Sequence, residues 1–133
     1  MALARDAGGD VWVGTEGNGV WQFNADESTN GAWRQFTVTN GLGDNYAYSL
    51  AVDQQGRVWA GHLNHGVSVY NGEHWTNYDV PFGPIGERVF KIAVCPLDGD
   101  VWIGTSAGLT RYSVSKDTWT HFTRNEEGRM KKR

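Results

Sequence analysis

The 133-residue chain has one cysteine, three prolines and a formal net charge of only -3. Cys95 alone can form neither an internal disulfide nor a cysteine-based metal site. Its neighbours Ile92, Ala93 and Val94 place it at the end of an apolar strand, where a thiol is expected to be buried and inert. No run approaches the roughly 18 apolar residues of a membrane helix, and the first residues lack the basic start and apolar core of a secretory leader. The charge is too mild to call for a nucleic-acid or membrane partner. Helical periodicity is missing throughout. So are a serine in a nucleophile elbow, a glycine-rich phosphate loop before a helix, and a carboxylate pair set apart as acid and base.

What the chain does have is glycine, 18 residues, and tryptophan, seven residues, arranged in a repeat. The phrase occurs as Val11-Trp12-Val13-Gly14-Thr15, Val58-Trp59-Ala60-Gly61-His62 and Val101-Trp102-Ile103-Gly104-Thr105. The tryptophans recur after 47 and then 43 residues, a period of the kind that marks repeat architectures. Each unit contains four short β-patterned runs. In the middle unit these are Tyr48 to Val52, Arg57 to Gly61, Gly66 to Tyr70 and His74 to Tyr78, with Asp53 to Gly56 and Asn71-Gly72 as tight turns. In the third unit Pro96 stands where the others have Asp6 and Asp53, and Asp98-Gly99 is expected to make the reversal.

The second run of each unit is almost continuously apolar, which suits a strand covered on both faces. Four-stranded sheets stacked around an axis supply that environment, so the predicted fold is an all-β β-propeller with three four-stranded antiparallel blades. A sandwich has no such repeat, and a solenoid repeats at shorter intervals. The blades are expected at about residues 2–37, 47–78 and 88–122 of a unit spanning 1–123, followed by a basic tail at 124–133. Trp12, Trp59 and Trp102 are expected to wedge between blades, with Gly14, Gly61 and Gly104 allowing close backbone approach. Trp33, Trp75 and Trp119 would cover blade edges.

The pattern Gly41-Leu42, Asn45, Leu50, Asp53, Gly56, Val58-Trp59, Gly61, Gly66-Val67 and Tyr70 resembles the two-component regulator propeller repeat. The run Val101 to Tyr112 is similar to it as well; His62 and Pro96 are departures. The resemblance implies an extracytoplasmic, periplasmic or extracellular, bacterial sensor-type propeller, non-enzymatic and often directed at carbohydrate.

Ligand sites on such folds are built by loops at one end of the sheets. That rim is expected to offer Asp44, Asn45, Tyr46, Tyr48, His62, Asn64, His65, Glu87 and Arg88, a set of amides, carboxylates, aromatic faces and an arginine suited to a polyhydroxylated ligand. No cofactor is implied. His62 and His65 lack a third ligand fixed by sequence, so no metal site is predicted. The enzyme alternative rests on analogy with the streptogramin lyases, propellers that use a histidine, a glutamate and magnesium; His62 or His65 with Glu16 or Glu87 would take those roles. A purely structural self-assembling module is the third alternative. Three blades cannot close a ring, since propellers have roughly four to eight blades. The expected partner is therefore a second copy, a homodimer of six blades rather than a trimer of nine, with the last blade of each chain against the first blade of the other and Thr123 to Arg133 lying over the partner's N-terminus.

Overall fold

The computed structural model describes residues 1–24, 32–124 and 127–132. Parts of the first unit and of the basic tail, at 25–31, 125–126 and 133, lie outside the described residues. The chain forms three antiparallel sheets in sequence order. The first holds β1 (Ala2–Arg5), β2 (Val11–Gly14), β3 (Val20–Asn24) and β4 (Ala32–Phe36). The second holds β5 (Ala47–Val52), β6 (Val58–His62), β7 (Val67–Tyr70) and β8 (Trp75–Tyr78). The third holds β9 (Val89–Val94), β10 (Val101–Thr105), β11 (Gly108–Ser113), β12 (Thr118–Arg124) and β13 (Met130–Lys132). The helical content of the described residues is one 3-10 turn, Val38–Asn40, capped by Thr37.

The third sheet corrects the expectation of uniform four-stranded blades. Met130 to Lys132 pair with Arg124 to Phe122 as a fifth, outermost strand. The tail therefore folds back on its own sheet, where main-chain groups of β12 would otherwise go unpaired.

The middle sheet is covered on both faces, which accounts for the unbroken burial of β6 and β7. One core joins Trp12, Val20 and Phe36 of the first sheet to Leu50, Val58, Tyr70 and Trp75 of the second. The other joins Trp59, Val67 and Val69 of the second to Ile92, Val101, Ile103 and Tyr112 of the third. Trp12 and Trp59 thus lie between sheets as expected, Trp12 stacked on Phe36 at 5.7 Å and Trp59 tilted against Tyr112 at 5.3 Å. Trp102 departs from this. It is only half-buried, on the open face of the third sheet, stacked on Phe122 at 5.8 Å with the Arg111 guanidinium over its ring. Trp33 also differs, being 56% exposed on the open face of the first sheet, while Trp75 is buried. The cause is the same for both: each outer sheet has a neighbour on one side only.

The repeat glycines report the same asymmetry. A Cβ at Gly14 would lie 2.6 Å from the Ala47 carbonyl oxygen, and one at Gly61 would lie 2.6 Å from a Val89 methyl, so both sheets approach at these points. At Gly104 the nearest atom is the Lys91 carbonyl oxygen, 3.8 Å away.

The turns at the opposite end from the rim are locked by carboxylates. Asp6 accepts from Asp10 N and from the Trp12 indole, each at 2.9 Å. Buried Asp53 accepts from the Trp59 indole at 2.9 Å and from Arg57 Nε at 2.8 Å. In the third sheet the equivalent position is Cys95, not Pro96: Cys95 N donates to Asp100 O as Asp53 N does to Arg57 O. Pro96 is the inserted residue. Gly99, at φ 78°, completes the reversal as anticipated, and Gln54 of the neighbouring turn donates to Pro96 O at 3.1 Å.

Candidate functional site

The loops at the rim are joined to one another by main-chain bonds and by one carboxylate, and that connection positions their side chains. Asn45 O accepts from Gly17 N at 3.2 Å and Gly19 N at 2.8 Å, tying the β4–β5 loop to the β2–β3 loop. Asp44 Oδ2 accepts from Asn64 N at 2.9 Å, bringing in the β6–β7 loop. Glu87 O accepts from Gly66 N at 2.8 Å, and Arg88 O accepts from Ser106 N at 3.0 Å, extending the rim to the third sheet. One continuous ridge thus runs from Glu16 to Ser106.

On this ridge the sequence-predicted residues divide by what their side chains are free to do. Tyr46 is 40% exposed and meets Tyr48 edge to face at 6.3 Å. Asn64, His65, Glu87 and Arg88 are exposed, and His65 Nδ1 lies 3.5 Å from Asp79. Asp44 is committed at both oxygens, to Asn64 N and to Tyr46 N. Asn45 accepts from Val38 N through its side chain, so its amide oxygen is spent on the loop. His62 is fully buried beneath the ridge and reaches the surface only through the loop it supports.

Sequence reasoning missed what lies around His62. Its Nδ1 is 2.9 Å from Tyr46 O and its Nε2 is 2.7 Å from Ser68 Oγ. Ser68 accepts from Gly43 N and donates to Asn77 Oδ1 at 2.6 Å; Asn77 Nδ2 donates to Gly41 O at 2.9 Å. Burial pushes the His62 ring below its ordinary value of 6.5, opposed by the Tyr46 carbonyl and by Asp44. The available signal was Ser68, a hydroxyl inside the otherwise apolar run Val67 to Tyr70. Its counterpart Thr110 ties the next loop in the same way, accepting from Ile85 N at 2.9 Å. Among the described residues no three His, Cys, Asp or Glu side chains are grouped to hold a metal ion.

Residues 41–64 match the family described as two component regulator propeller. Of the solved structures similar to the chain, one is the extracellular domain of BT3049 from B. thetaiotaomicron, assigned as a hybrid two component system. It superposes with a TM-score of 0.76 at 19% identity, over 98% of this chain and 20% of that one. The extracellular domain of BT4673 from the same organism, likewise assigned as a hybrid two component system, gives 0.65 at 24% identity, over 83% and 14%. PorZ, a surface component of the type-IX secretion system of Porphyromonas gingivalis, gives 0.64 at 18%, over 96% and 25%. The chain therefore spans a quarter or less of the length of these structures, and at such identities they establish the propeller-type fold. No curated protein sequence matches it significantly.

Proposed function

The chain carries the repeat of the two-component regulator propellers, and from that premise we infer that it is a non-enzymatic, sensor-like module of an extracytoplasmic bacterial protein. Its ligand is a small polyhydroxylated molecule of carbohydrate type, bound on the ridge by Tyr46, Tyr48, Asn64, His65, Glu87 and Arg88. The observation that carries this reading is the linked ridge: aromatic, amide and charged groups, all exposed but the half-buried Tyr48 of β5, stand on loops held to their neighbours by hydrogen bonds. Such a surface pays little ordering entropy on binding. Both ring nitrogens of His62 are engaged below the surface, so the streptogramin-lyase alternative would rest on the exposed His65, whose Nδ1 lies 3.5 Å from Asp79. Calorimetry against an oligosaccharide panel and lyase substrates, with and without magnesium, tests the assignment. Saturable, magnesium-independent sugar binding supports it, and magnesium-dependent turnover overturns it.

The ring is completed by a second copy. Inside the chain, a face of the Trp12 and Trp59 type twice meets a face of the Tyr70 and Tyr112 type. The two open faces are one of each kind. That of the third sheet bears Trp102 and Phe122; that of the first bears Leu3, 70% exposed, and an apolar cavity of about 410 Å³ lined by Val13, Trp21 and Trp33. Each copy can repeat the internal pairing against the other, and six blades fall within the usual range of roughly four to eight. Light scattering is the test. A dimer supports closure, a trimer moves the answer to nine blades, and a stable 14.8 kDa monomer at micromolar concentration refutes it and leaves these faces to blades of a longer chain.

A further inference from the structure

The bonds around His62 cannot all be made by a neutral imidazole. A carbonyl oxygen only accepts, so Nδ1, 2.9 Å from Tyr46 O, must carry a proton. Asn77 is oriented by its Nδ2 bond to Gly41 O, so its Oδ1 faces Ser68 and takes that hydroxyl's single proton. Ser68 Oγ also accepts from Gly43 N, and toward His62 Nε2, 2.7 Å away, it can only accept again. The observed chain of contacts therefore needs a proton on both ring nitrogens.

We propose that His62 is a positioning residue of the rim and that its protonation, relayed by the direction of the Ser68 hydroxyl, decides whether Asn77 holds the Gly41 carbonyl. With the ring charged, Nε2–H donates to Ser68, Ser68 donates to Asn77, and Asn77 pins Gly41. When the ring loses the Nε2 proton, Nδ1–H keeps Tyr46, but the Ser68 hydroxyl turns to donate to Nε2. Two acceptors, Oγ and Asn77 Oδ1, then face each other at the 2.6 Å now bridged by a proton, and Asn77 releases Gly41. The segment from Gly41 to Ala47, which presents Asp44, Asn45 and Tyr46, keeps its bonds from Gly41 N to Val38 O and from Leu42 N to Thr37 O in both states, and loses the tie at the Gly41 carbonyl when the ring is neutral.

The charged groups facing the ring are Asp44 from the β4–β5 loop, Asp79 beyond β8 and His65 from the β6–β7 loop. Burial lowers the His62 pKa from 6.5, the two carboxylates oppose it and His65 adds to it, so the exchange occurs on the acid side of neutrality. The arrangement is confined to the middle sheet. Thr110 occupies the place of Ser68 in the third sheet, but Thr105 stands where His62 would be, and the first sheet has Trp21 and Thr15 at these positions.

The consequence for ligand affinity rests on the rim being the binding surface; the relay itself does not. The experiment follows ring and amide nitrogen shifts of the labelled 133-residue chain by NMR across pH, without ligand. The expected result is a His62 midpoint below 6.5, an Nδ1–H tautomer when neutral, and Asn77 side-chain and Gly43 amide signals that move with the same midpoint. In Ser68→Ala, His62 still titrates while Asn77 no longer follows it, and Ser68→Thr restores the coupling. A neutral Nε2–H tautomer, or Asn77 and Gly43 signals that ignore the His62 midpoint, overturns the proposal. Calorimetry of the same variants with the oligosaccharides separates the two readings. Coupled shifts without sugar binding uphold the relay and remove the rim, and sugar binding without coupled shifts does the reverse.

Discussion

Replacing Trp59 by alanine probes the packing between sheets most directly. The indole is 1% exposed, lies against Tyr112 at 5.3 Å and Trp119 at 6.2 Å, and donates to Asp53 Oδ2 at 2.9 Å. Loss of a buried tryptophan costs about 3 to 5 kcal/mol through lost transfer energy and the cavity left behind. The severed hydrogen bond adds little, because Asp53 keeps Arg57 Nε, Arg57 N and Gln55 N as donors. A loss near 4 kcal/mol is expected, on the order of that range. Trp102→Ala is the internal control: same motif position, but half-buried on an open face, so about 1 to 2 kcal/mol is expected from the area bookkeeping. Urea unfolding at concentrations where the chain is monomeric measures both. Equal losses for Trp59 and Trp102, or a Trp59 loss under about 2 kcal/mol, would show that the motif tryptophans do not owe their contribution to inter-sheet burial.

Gly61→Ala forces a methyl against Val89 and is expected to destabilise by about 1 to 3 kcal/mol; Gly104→Ala has room and should leave the stability of the monomer to urea unchanged while weakening self-association in sedimentation. Tyr112 donates to Asp117 at 2.5 Å, and burial, then Asp117, raises its pKa to about 12 from 10.0. Its ionised form is disfavoured in the fold, so stability present below pH 10 should be lost as pH rises toward 12, and Tyr112→Phe should flatten that part of the denaturant-midpoint profile. Alanine at Tyr46, His65 or Arg88 should weaken an oligosaccharide identified by calorimetry while shifting the melting temperature by only a few degrees, since exposed loop changes alter stability little; three unaltered affinities would place the site elsewhere.

The sheets were legible because the repeat combines alternation with turn chemistry that is local. Ala2 to Arg5 and Val89 to Val94 can be read to the residue, since Asp6 and Val89 bound runs in which Ala2 and Ala4, or Val89 and Ile92, face a core. Strand β13 was not, because Met130-Lys131-Lys132 has no apolar alternation and exists only by pairing with β12. Pro96 is set one residue out of register with Asp6 and Asp53 because the longer turn hides its alignment until the bond from Cys95 N to Asp100 O is seen. Trp33 and Trp102 carry the same local signals as their buried counterparts, and exposure depends on what lies across the face. At the rim, residue types in the loops were readable, but the burial of His62 and its link through Ser68 to Asn77 are products of three strands meeting. A single polar residue in an apolar strand was the only trace of them.

The fifth strand has a consequence for how these molecules behave in a crowded solution. Without it, the third sheet would end in β12, seven residues long and carrying Trp119 and Phe122, an outer border able to recruit a strand from another chain. With it, the Phe122 to Arg124 end of that border is paired to an exposed three-residue strand that bears Lys131 and Lys132, while Thr118 to His121 keep an open outer side. A short, doubly positive border repels its like and offers few hydrogen bonds to a newcomer. The basic tail thus guards one end of the sheet margin, and a chain shortened before Met130 is expected to aggregate laterally more readily.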